Sequence, residues 1–386
     1  MKIFIVPATY NEKDNIEKFI ITLEEEVFPK IKNHEMHILV ADDNSPDGTG
    51  EIVKKLMKKY KNLGINQGPK KGLGAAYVRA MGYAIEKEGA DVVVSIDADF
   101  QHDLLKIPAF IEKIDKGYDV VIGTRYSDGG SIPENWPVQR KIFSVVANLF
   151  VRSVFMRFNI HDWTGGFRAI RKEVFEKEKE EMKEFNGYIF QIAFLHKAVR
   201  DGFTIGEVPF HFSDRTLGSS KIAPLSYIMN VVWFVITTRI KEIATGSFGK
   251  FLVVGGIGFV LNAVILKILH DTYKIDPFFA NLVGAAVAIF SNYNLNNIWT
   301  FKEHKIHGMV QYLWKMVQFY ATSVFGVVFI QSGVIFIGDK IIGPDIIFHF
   351  GPVAIRYYMI YFVLGTGLLL IWNFFIYSKF IWKKKK

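Results

Sequence analysis

The chain has no cysteine among its 386 residues, which excludes disulfides, thiolate metal sites and cysteine nucleophiles. It also lacks a zinc-ligand set and an RNA-binding aromatic signature. A formal net charge of +9 therefore points to anionic lipid and phosphorylated substrates rather than to nucleic acid. No long apolar run opens the sequence. "MKIFIVPATYNE" is too short in its apolar part for a signal peptide and reads as a first strand, so the first half is expected to stay in the cytoplasm. Charge is scarce in the second part: charged residues crowd roughly the first 250 positions, and long uncharged runs crowd the rest. The overall hydrophobic fraction is 50% and the aromatic fraction 15%, a load that suits two domains of unlike character.

Up to about Pro209, short apolar runs alternate with longer amphipathic ones. "KIFIV", "MHILVA", "DVVVSI" and "DVVIGT" read as strands; "NIEKFIITLEEEV", "GEIVKKLMKKY", "GAAYVRAMGYAIEKE" and "LLKIPAFIEKI" read as helices. This alternation predicts βαβ units and a mostly parallel sheet, whose ligands bind beyond the carboxyl ends of the strands. "PATYNE", "DDNSPDGT" and "DADFQHD" all follow strands and should converge on one crevice.

The acidic cluster carries most of the chemistry. Asp97 and Asp99 end an apolar strand, where ionised carboxylates repel each other unless a cation sits between them. If the strand continues, both face the same side, and Gln101 adds a neutral oxygen. Hard oxygen ligands suit Mg²⁺ or Mn²⁺ bound through one or two carboxylates plus substrate phosphates. His102 is read as structural or exposed, and Asp103 as an N-cap. In "DDNSPDGT", Asp47 and Thr49 read as helix caps, whereas Asp43 at the strand end can meet a base or ribose hydroxyl. The glycines of "KKGLGAAY", beside Lys71, allow either backbone approach to phosphate or a simple turn. Arg125, Arg140, Arg168, Arg215 and Lys221 are the notable later cations; "DRTLGSSK" stands immediately before the apolar half.

After Lys221 the character changes. "SYIMNVVWFVITTRIKEI" is amphipathic and is expected along a membrane surface. Four apolar segments follow, near 250–269, 277–298, 312–337 and 356–382, each close to or above the roughly 20 residues that cross a bilayer. The basic loops hold Arg239, Lys241 and Lys250, then Lys302 and Lys305, then the terminal "KKKK". They share one side, so both ends are expected in the cytoplasm. Asn262, Asn281, Asn292, Asn294, Asn296 and Asn297 in or beside the first two spans read as interhelical contacts, with a transport pathway as the alternative.

In order, "PATYNE", "DDNSPDGT", "KGLG", "DADFQH", "GTRY", "GGFRA", "NGYIFQI", "GEVPF" and "DRTLGSSK" resemble the family 2 glycosyltransferases, specifically the polyprenol (dolichol) phosphate mannose synthases and their glucosyl relatives. The second half, with "FLVVGGIGFVLNAVI" and "NYNLNNIWTF", resembles the four-span domain associated with lipid-linked sugar translocation. The resemblance implies an α/β GT-A catalytic domain over 1–224, an interfacial region over 225–246 and an all-α transmembrane domain of four helices over 247–386. It implies inverting transfer of a hexose, foremost mannose from GDP-mannose, to dolichyl or polyprenyl phosphate, with Mg²⁺ or Mn²⁺ as cofactor and the lipid bilayer as partner. A UDP-glucose-dependent transferase and a lipid-linked sugar flippase are the alternatives.

By the same resemblance, Tyr10, Glu12 and Asp43 contact the nucleoside, with Ala8 and Ala41 doing so through the backbone. Asp97, Ala98, Asp99 and Gln101 engage the diphosphate, with Asp97, Asp99 and Gln101 as the metal set. Arg125, Gln191, Arg215 and Lys221 complete the donor site, and Arg125, Arg140, Ser144 and Arg215 meet the acceptor. Asp97, Asp99, Arg215 and Lys221 are the candidate catalytic residues. One departure stands out: Pro7 precedes Ala8, where the family's pattern places the proline one position later.

Overall fold

The computed structural model describes residues 1–182, 185, 187–214, 225–341, 347–350 and 353–383. The chain divides into two compact units, Met1–Thr237 and Thr238–Lys386.

The first unit is built on a seven-stranded sheet of β1 (Lys2–Thr9), β2 (Glu35–Asp42), β3 (Leu63–Gln67), β4 (Val92–Asp97), β5 (Val120–Thr124), β6 (Arg168–Arg171) and β7 (Ile205–Pro209), in the order β3-β2-β1-β4-β6-β5-β7. Only β6 runs antiparallel to its neighbours. Alternation along β1 explains the two layers: Ile3 and Ile5 enter one core, Phe4 and Val6 the other. Helices α1 (Lys13–Thr22), α2 (Thr49–Leu56) and α4 (Ile107–Asp115) supply apolar residues to the first core. The second receives α3 (Leu73–Glu86), α5 (Val138–Phe155), α6 (Lys172–Met182) and α7 (Gly187–Arg200). This is the mostly parallel GT-A architecture, and its chain order reverses between β1 and β4, the position at which such sheets bind ligands.

The four strands and four helices expected in this half are present. The strands β3, β6 and β7 and the helices α5, α6 and α7 are additional, and β6 breaks the parallel pattern. Pro7 has a visible consequence. Its missing N–H leaves the β1–β2 register running through Ile5↔Ile38 and resuming at Ala8↔Ala41.

A long helix, α8 (Leu225–Thr245), spans the division between the units and fills the amphipathic stretch. The second unit then consists of α9 (Ser247–Lys267), α10 (Pro277–Leu295), α11 (Met309–Phe325), α12 (Ser332–Ile341), α13 (Tyr357–Ile376) and a small hairpin of β8 (Ile347–Phe350) and β9 (Val353–Arg356). Helical structure occupies all four apolar segments. Among the described residues, three helical stretches are long and apolar enough to cross a membrane: Ser247–Thr272, Met309–Gly338 and Val363–Ile381. Their side chains point outward, Phe259 being 76% exposed, as hydrocarbon-facing residues must.

Two of the asparagines join segments as expected. Asn294 Oδ1 accepts from Tyr312 Oη at 2.6 Å, and Asn297 Oδ1 accepts from the Ile306 N–H at 2.8 Å and Trp382 Nε1 at 2.9 Å. The Asn281 side chain lies outside the described residues.

Candidate active site at the strand ends

The sheet register brings distant residues level with each other. Ala8 pairs with Ala41 on one side and with Asp97 on the other, so three of the expected donor-site residues lie side by side across the central strands. Beyond each of these strands the backbone turns through a left-handed residue: Asn11 (φ 62°), Asn44 (φ 52°) and Phe100 (φ 58°). Asparagine tolerates this conformation, but phenylalanine does not without support. Phe100 is held by Phe19, with ring centroids 5.8 Å apart, and by Lys18, whose Nζ lies 5.3 Å from its ring. Local strain of this kind persists where packing enforces it and is concentrated at functional sites.

The loops are also tied to one another. Asn11 N donates to Ser45 Oγ, Glu12 N to Thr49 Oγ1 and Lys13 N to Asp47 Oδ2, each at 3.0 Å. Asp47 Oδ1 accepts the Thr49 N–H, the first of α2, at 3.0 Å, so it caps the helix end as expected, one position ahead of Gly48 (φ 96°), which holds the N-cap position. Thr49 is the first helical residue rather than the cap, and its Oγ1 donates to Asp47 Oδ1 at 2.6 Å.

On the expected nucleoside side, the adjacent acids separate. Asp42 is fully buried and accepts from Thr9, Ser45 and Gln67. Asp43 is buried too, 7% exposed, and pairs with Arg79 at 3.1 Å. Burial pushes the Asp43 carboxyl upward against the opposing pull of Arg79. Arg79 also donates to Asn66 Oδ1 at 2.8 Å and to the Asp42 carbonyl at 3.2 Å, which fixes Asp43 from behind. Tyr10 is exposed, with Lys70 Nζ 3.3 Å from its ring centroid, and Glu12 accepts from Asn15 Nδ2 at 2.8 Å. In the glycine stretch, Gly72 (φ 100°) opens α3, a geometry that suits either a turn or backbone approach to phosphate. Gly74 is needed for packing, since a Cβ there would lie 2.6 Å from the Phe185 carbonyl oxygen.

The acidic cluster differs from a continued strand. β4 stops at Asp97, and the turn through Phe100 places Asp99, so the rule that i and i+2 share a face does not apply. Asp99 is buried and its Oδ1 accepts from Gln101 N at 3.1 Å. Gln101 Nε2 donates to the Ser213 carbonyl at 3.4 Å, which orients its carboxamide so that the oxygen is the acceptor. Ala98, between Asp97 and Asp99, is buried in the first core. His102 is structural: its Nδ1 accepts from Asp97 N at 3.3 Å and its ring is enclosed by Phe167, Phe210 and Phe212. Burial lowers its pKa to about 4, so it is neutral at pH 7. Asp103 caps the next turn through Leu105 N, as expected.

Among the described residues no group of three or more His, Asp or Glu converges on one point. Two carboxylates and a carboxamide oxygen fit a hard cation that takes its remaining ligands from substrate phosphate and water.

Other expected site residues take varied places. Arg125 is clasped by Asp162, with Nε to Oδ2 at 2.7 Å and Nη2 to Oδ1 at 2.8 Å. Burial pushes the Asp162 carboxyl up, but Arg125 and backbone N–H donors outweigh it and hold the group below the ordinary carboxylate value. Gln191 is buried beside Arg168, whose Nη1 donates to its carbonyl at 2.7 Å; burial lowers the Arg168 pKa to about 9. Arg140 lies over the Trp136 ring at 3.6 Å, and Ser144 Oγ meets Tyr126 Oη at 2.5 Å, both on or beside α5. Arg215 and Lys221 lie outside the described residues. Asp162, Arg79 and Tyr77 are the important residues that the sequence reading missed. Only the acid ahead of the Gly-Gly turn in "DWTGGFRA" carried a local signal.

A sequence profile described as Glycosyl transferase family 2 matches residues 4–178, and one described as GtrA/DPMS, transmembrane domain, matches residues 250–382. The polyprenol monophosphomannose synthase of Mycolicibacterium smegmatis is 37% identical over 221 residues, covering 57% of this chain and 80% of the relative. The dolichol-phosphate mannosyltransferase of Pyrococcus furiosus is 33% identical over 309 residues, covering 78% of this chain and 82% of the relative. The solved structure of mannosyl-3-phosphoglycerate synthase from Rubrobacter xylanophilus is 16% identical with a TM-score of 0.45, covering 63% of this chain and 74% of that one. With a matching catalytic half, a matching membrane half and a relative aligned across both, the chain belongs to the polyprenol (dolichol) phosphate mannose synthases of glycosyltransferase family 2.

Proposed function

We infer that this integral membrane enzyme transfers mannose from a nucleotide sugar, GDP-mannose, to polyprenyl or dolichyl phosphate with inversion at the sugar C1. The observations that support this reading are the register that sets Ala8, Ala41 and Asp97 side by side and the hydrogen bonds that tie the first two strand-end loops, in a chain whose relatives bear the names of polyprenol and dolichol phosphate mannose synthases. Tyr10, Glu12 and Asp43 receive the nucleoside, while Asp97, Asp99 and Gln101 hold Mg²⁺ or Mn²⁺ and the diphosphate. A divalent cation bound there would offset the charge of two approaching phosphates and stabilise the departing nucleoside diphosphate. Arg125, already neutralised by a buried carboxylate, offsets little additional charge. That duty falls to Arg215 and Lys221, while Arg140 and Ser144 face the acceptor. A phosphate monoester has a second pKa of about 6, so the acceptor is largely deprotonated at neutral pH and no side chain has to act as general base.

Residues 1–224 form the cytoplasmic catalytic domain, 225–246 an interfacial helix and 247–386 the membrane domain. Loop charge supports both termini on the cytoplasmic side, since Lys302 and Lys305 follow the second apolar segment. On α5, Val138, Ile142, Val146 and Leu149 are exposed on a helix that also carries Arg140, Lys141 and Arg152, a pattern suited to a lipid surface. The test is incubation of the purified protein with labelled GDP-mannose and polyprenyl phosphate. Labelled lipid monophosphate sugar is expected. Its absence with GDP-mannose, when UDP-glucose labels the lipid or no donor does, overturns the assignment.

A further inference from the structure

Asp97 is gripped from two faces of the sheet. Tyr77, on α3, is 0% exposed, and its hydroxyl lies 3.3 Å from Asp97 Oδ1 and 3.1 Å from the Ile96 carbonyl oxygen. A phenol has one proton to donate, so these acceptors share it. The ring itself cannot drift. Phe190 stacks on it with centroids 6.4 Å apart, and Gly74, nearly a turn earlier on α3, abuts Phe185 and Phe190 without room for a Cβ. From the opposite core, His102 accepts the Asp97 N–H. One ring thus holds the main chain of this aspartate, and the other holds its carboxylate.

An aspartate carboxylate otherwise turns over a broad torsional range, and that freedom is lost when it engages a cation. A side chain already held by a buried donor loses less, so the ligand binds more tightly; groups behind a metal ligand act in this way. We propose that Tyr77 is a positioning residue for the donor–cation complex, its hydroxyl setting the orientation of Asp97 before the nucleotide arrives. The inference rests on the reading of Asp97, Asp99 and Gln101 as the cation site. It assigns to α3 a part in donor binding separate from the helix's own N-terminus.

The test uses the full chain in detergent and follows free Mn²⁺ by its electron paramagnetic resonance signal during titration in the presence of GDP. Tyr77→Phe, which deletes one oxygen and keeps the ring, should weaken Mn²⁺ binding by about 10-fold to 100-fold. Turnover should recover at saturating Mn²⁺, so that the metal requirement rises while kcat is nearly restored. In an Asp97→Ala background the same change should alter Mn²⁺ affinity by less than about twofold, because the carboxylate acceptor of the Tyr77 hydroxyl is gone. Unchanged Mn²⁺ affinity in folded Tyr77→Phe overturns the proposal, as does an equal loss with and without the Asp97 carboxylate. Should Tyr77→Phe fail to fold, 3-fluorotyrosine at position 77 retains the hydroxyl. Its ¹⁹F resonance should move on adding Mg²⁺ and GDP to the otherwise native chain, and stay in place in Asp97→Ala; a resonance that never moves also overturns the proposal. A native protein that binds no Mn²⁺ with GDP overturns the cation site itself, and the inference falls with it.

Discussion

The two units bury polar groups by different rules. In Met1–Thr237 charged side chains are buried, several of them in pairs: Asp162 with Arg125, Asp43 with Arg79, and Lys197 with Glu178 at 3.3 Å and with Glu181, while Asp42 is held by the neutral donors Thr9, Ser45 and Gln67. Arg168 is buried on the carbonyls of Trp163, Gly165 and Gln191. In Thr238–Lys386 the buried polar side chains among the described residues are neutral, namely Asn296, Asn297 and Thr300. There, close fit does part of the work that charge does elsewhere. A Cβ on Gly258 of α9 would run into Asn292 of α10, and one on Gly284 of α10 would lie 2.9 Å from the Asn262 carbonyl oxygen of α9. A charge inside hydrocarbon is expensive, and helices there gain from small residues that permit close approach. The contrast teaches that the catalytic unit should respond to changes of charge and the membrane unit to changes of shape.

The strongest test of that contrast is Asp99→Ala. Transfer activity should fall by roughly 10²–10³-fold while thermal unfolding of the protein stays close to the native value, and chelation of divalent metal should have the same effect. Near-normal labelling of lipid by this variant would remove the cation from the mechanism.

Asp162→Ala should come next. It leaves the Arg125 side chain, only 10% exposed, without its bidentate partner, and breaking such a pair costs about 3–5 kcal/mol. Denaturant unfolding of the catalytic unit would report it, and an effect below about 1 kcal/mol would place this ion pair among the weak surface ones.

Gly284→Ala should act on the other unit. The added methyl forces α9 and α10 apart at Asn262, a change of the kind that costs about 1–3 kcal/mol in a packed interior. Detergent-resistant unfolding of the membrane unit should weaken while GDP affinity remains native. If GDP affinity falls as well, the two units do not respond separately.

Acid should produce the smallest difference. The Asp162 carboxyl is held below its ordinary value in the folded protein, so its stabilisation is present above the unfolded pKa of about 3.9 and is lost as pH falls below that value. Asp162→Asn should therefore show a flatter dependence of catalytic-unit stability on pH below about 4 than the native chain does. An unchanged slope would show that Asp162 is not protonated in the transition.

The central strands were legible because "KIFIV", "MHILVA" and "DVVVSI" are continuous and rich in branched residues, as strands buried on both faces must be. β3 ("LGINQ") and β6 ("RAIR") were not, since glycine, asparagine and arginine dilute the pattern and neighbouring strands supply the burial. Within the site, the acids of "DADFQHD" announced themselves through their position at a strand end. Their supports did not. Tyr77 lies 20 residues from Asp97, Arg79 lies 36 from Asp43, and Arg125 lies 37 from Asp162. No local period records a pairing across such distances.

The amino-acid order by itself determined that an alternating strand-and-helix half precedes an apolar helical half, and that acidic oxygens gather at the carboxyl end of a buried strand. Those features follow from period, burial and charge repulsion within a few neighbouring residues. Only the tertiary structure decided the partners of these acids, setting Asp43 against Arg79 and Asp42 among Thr9, Ser45 and Gln67, and tying Arg125 to Asp162. Strand order chooses those partners, because a carboxylate takes whichever donor the fold brings within hydrogen-bond reach.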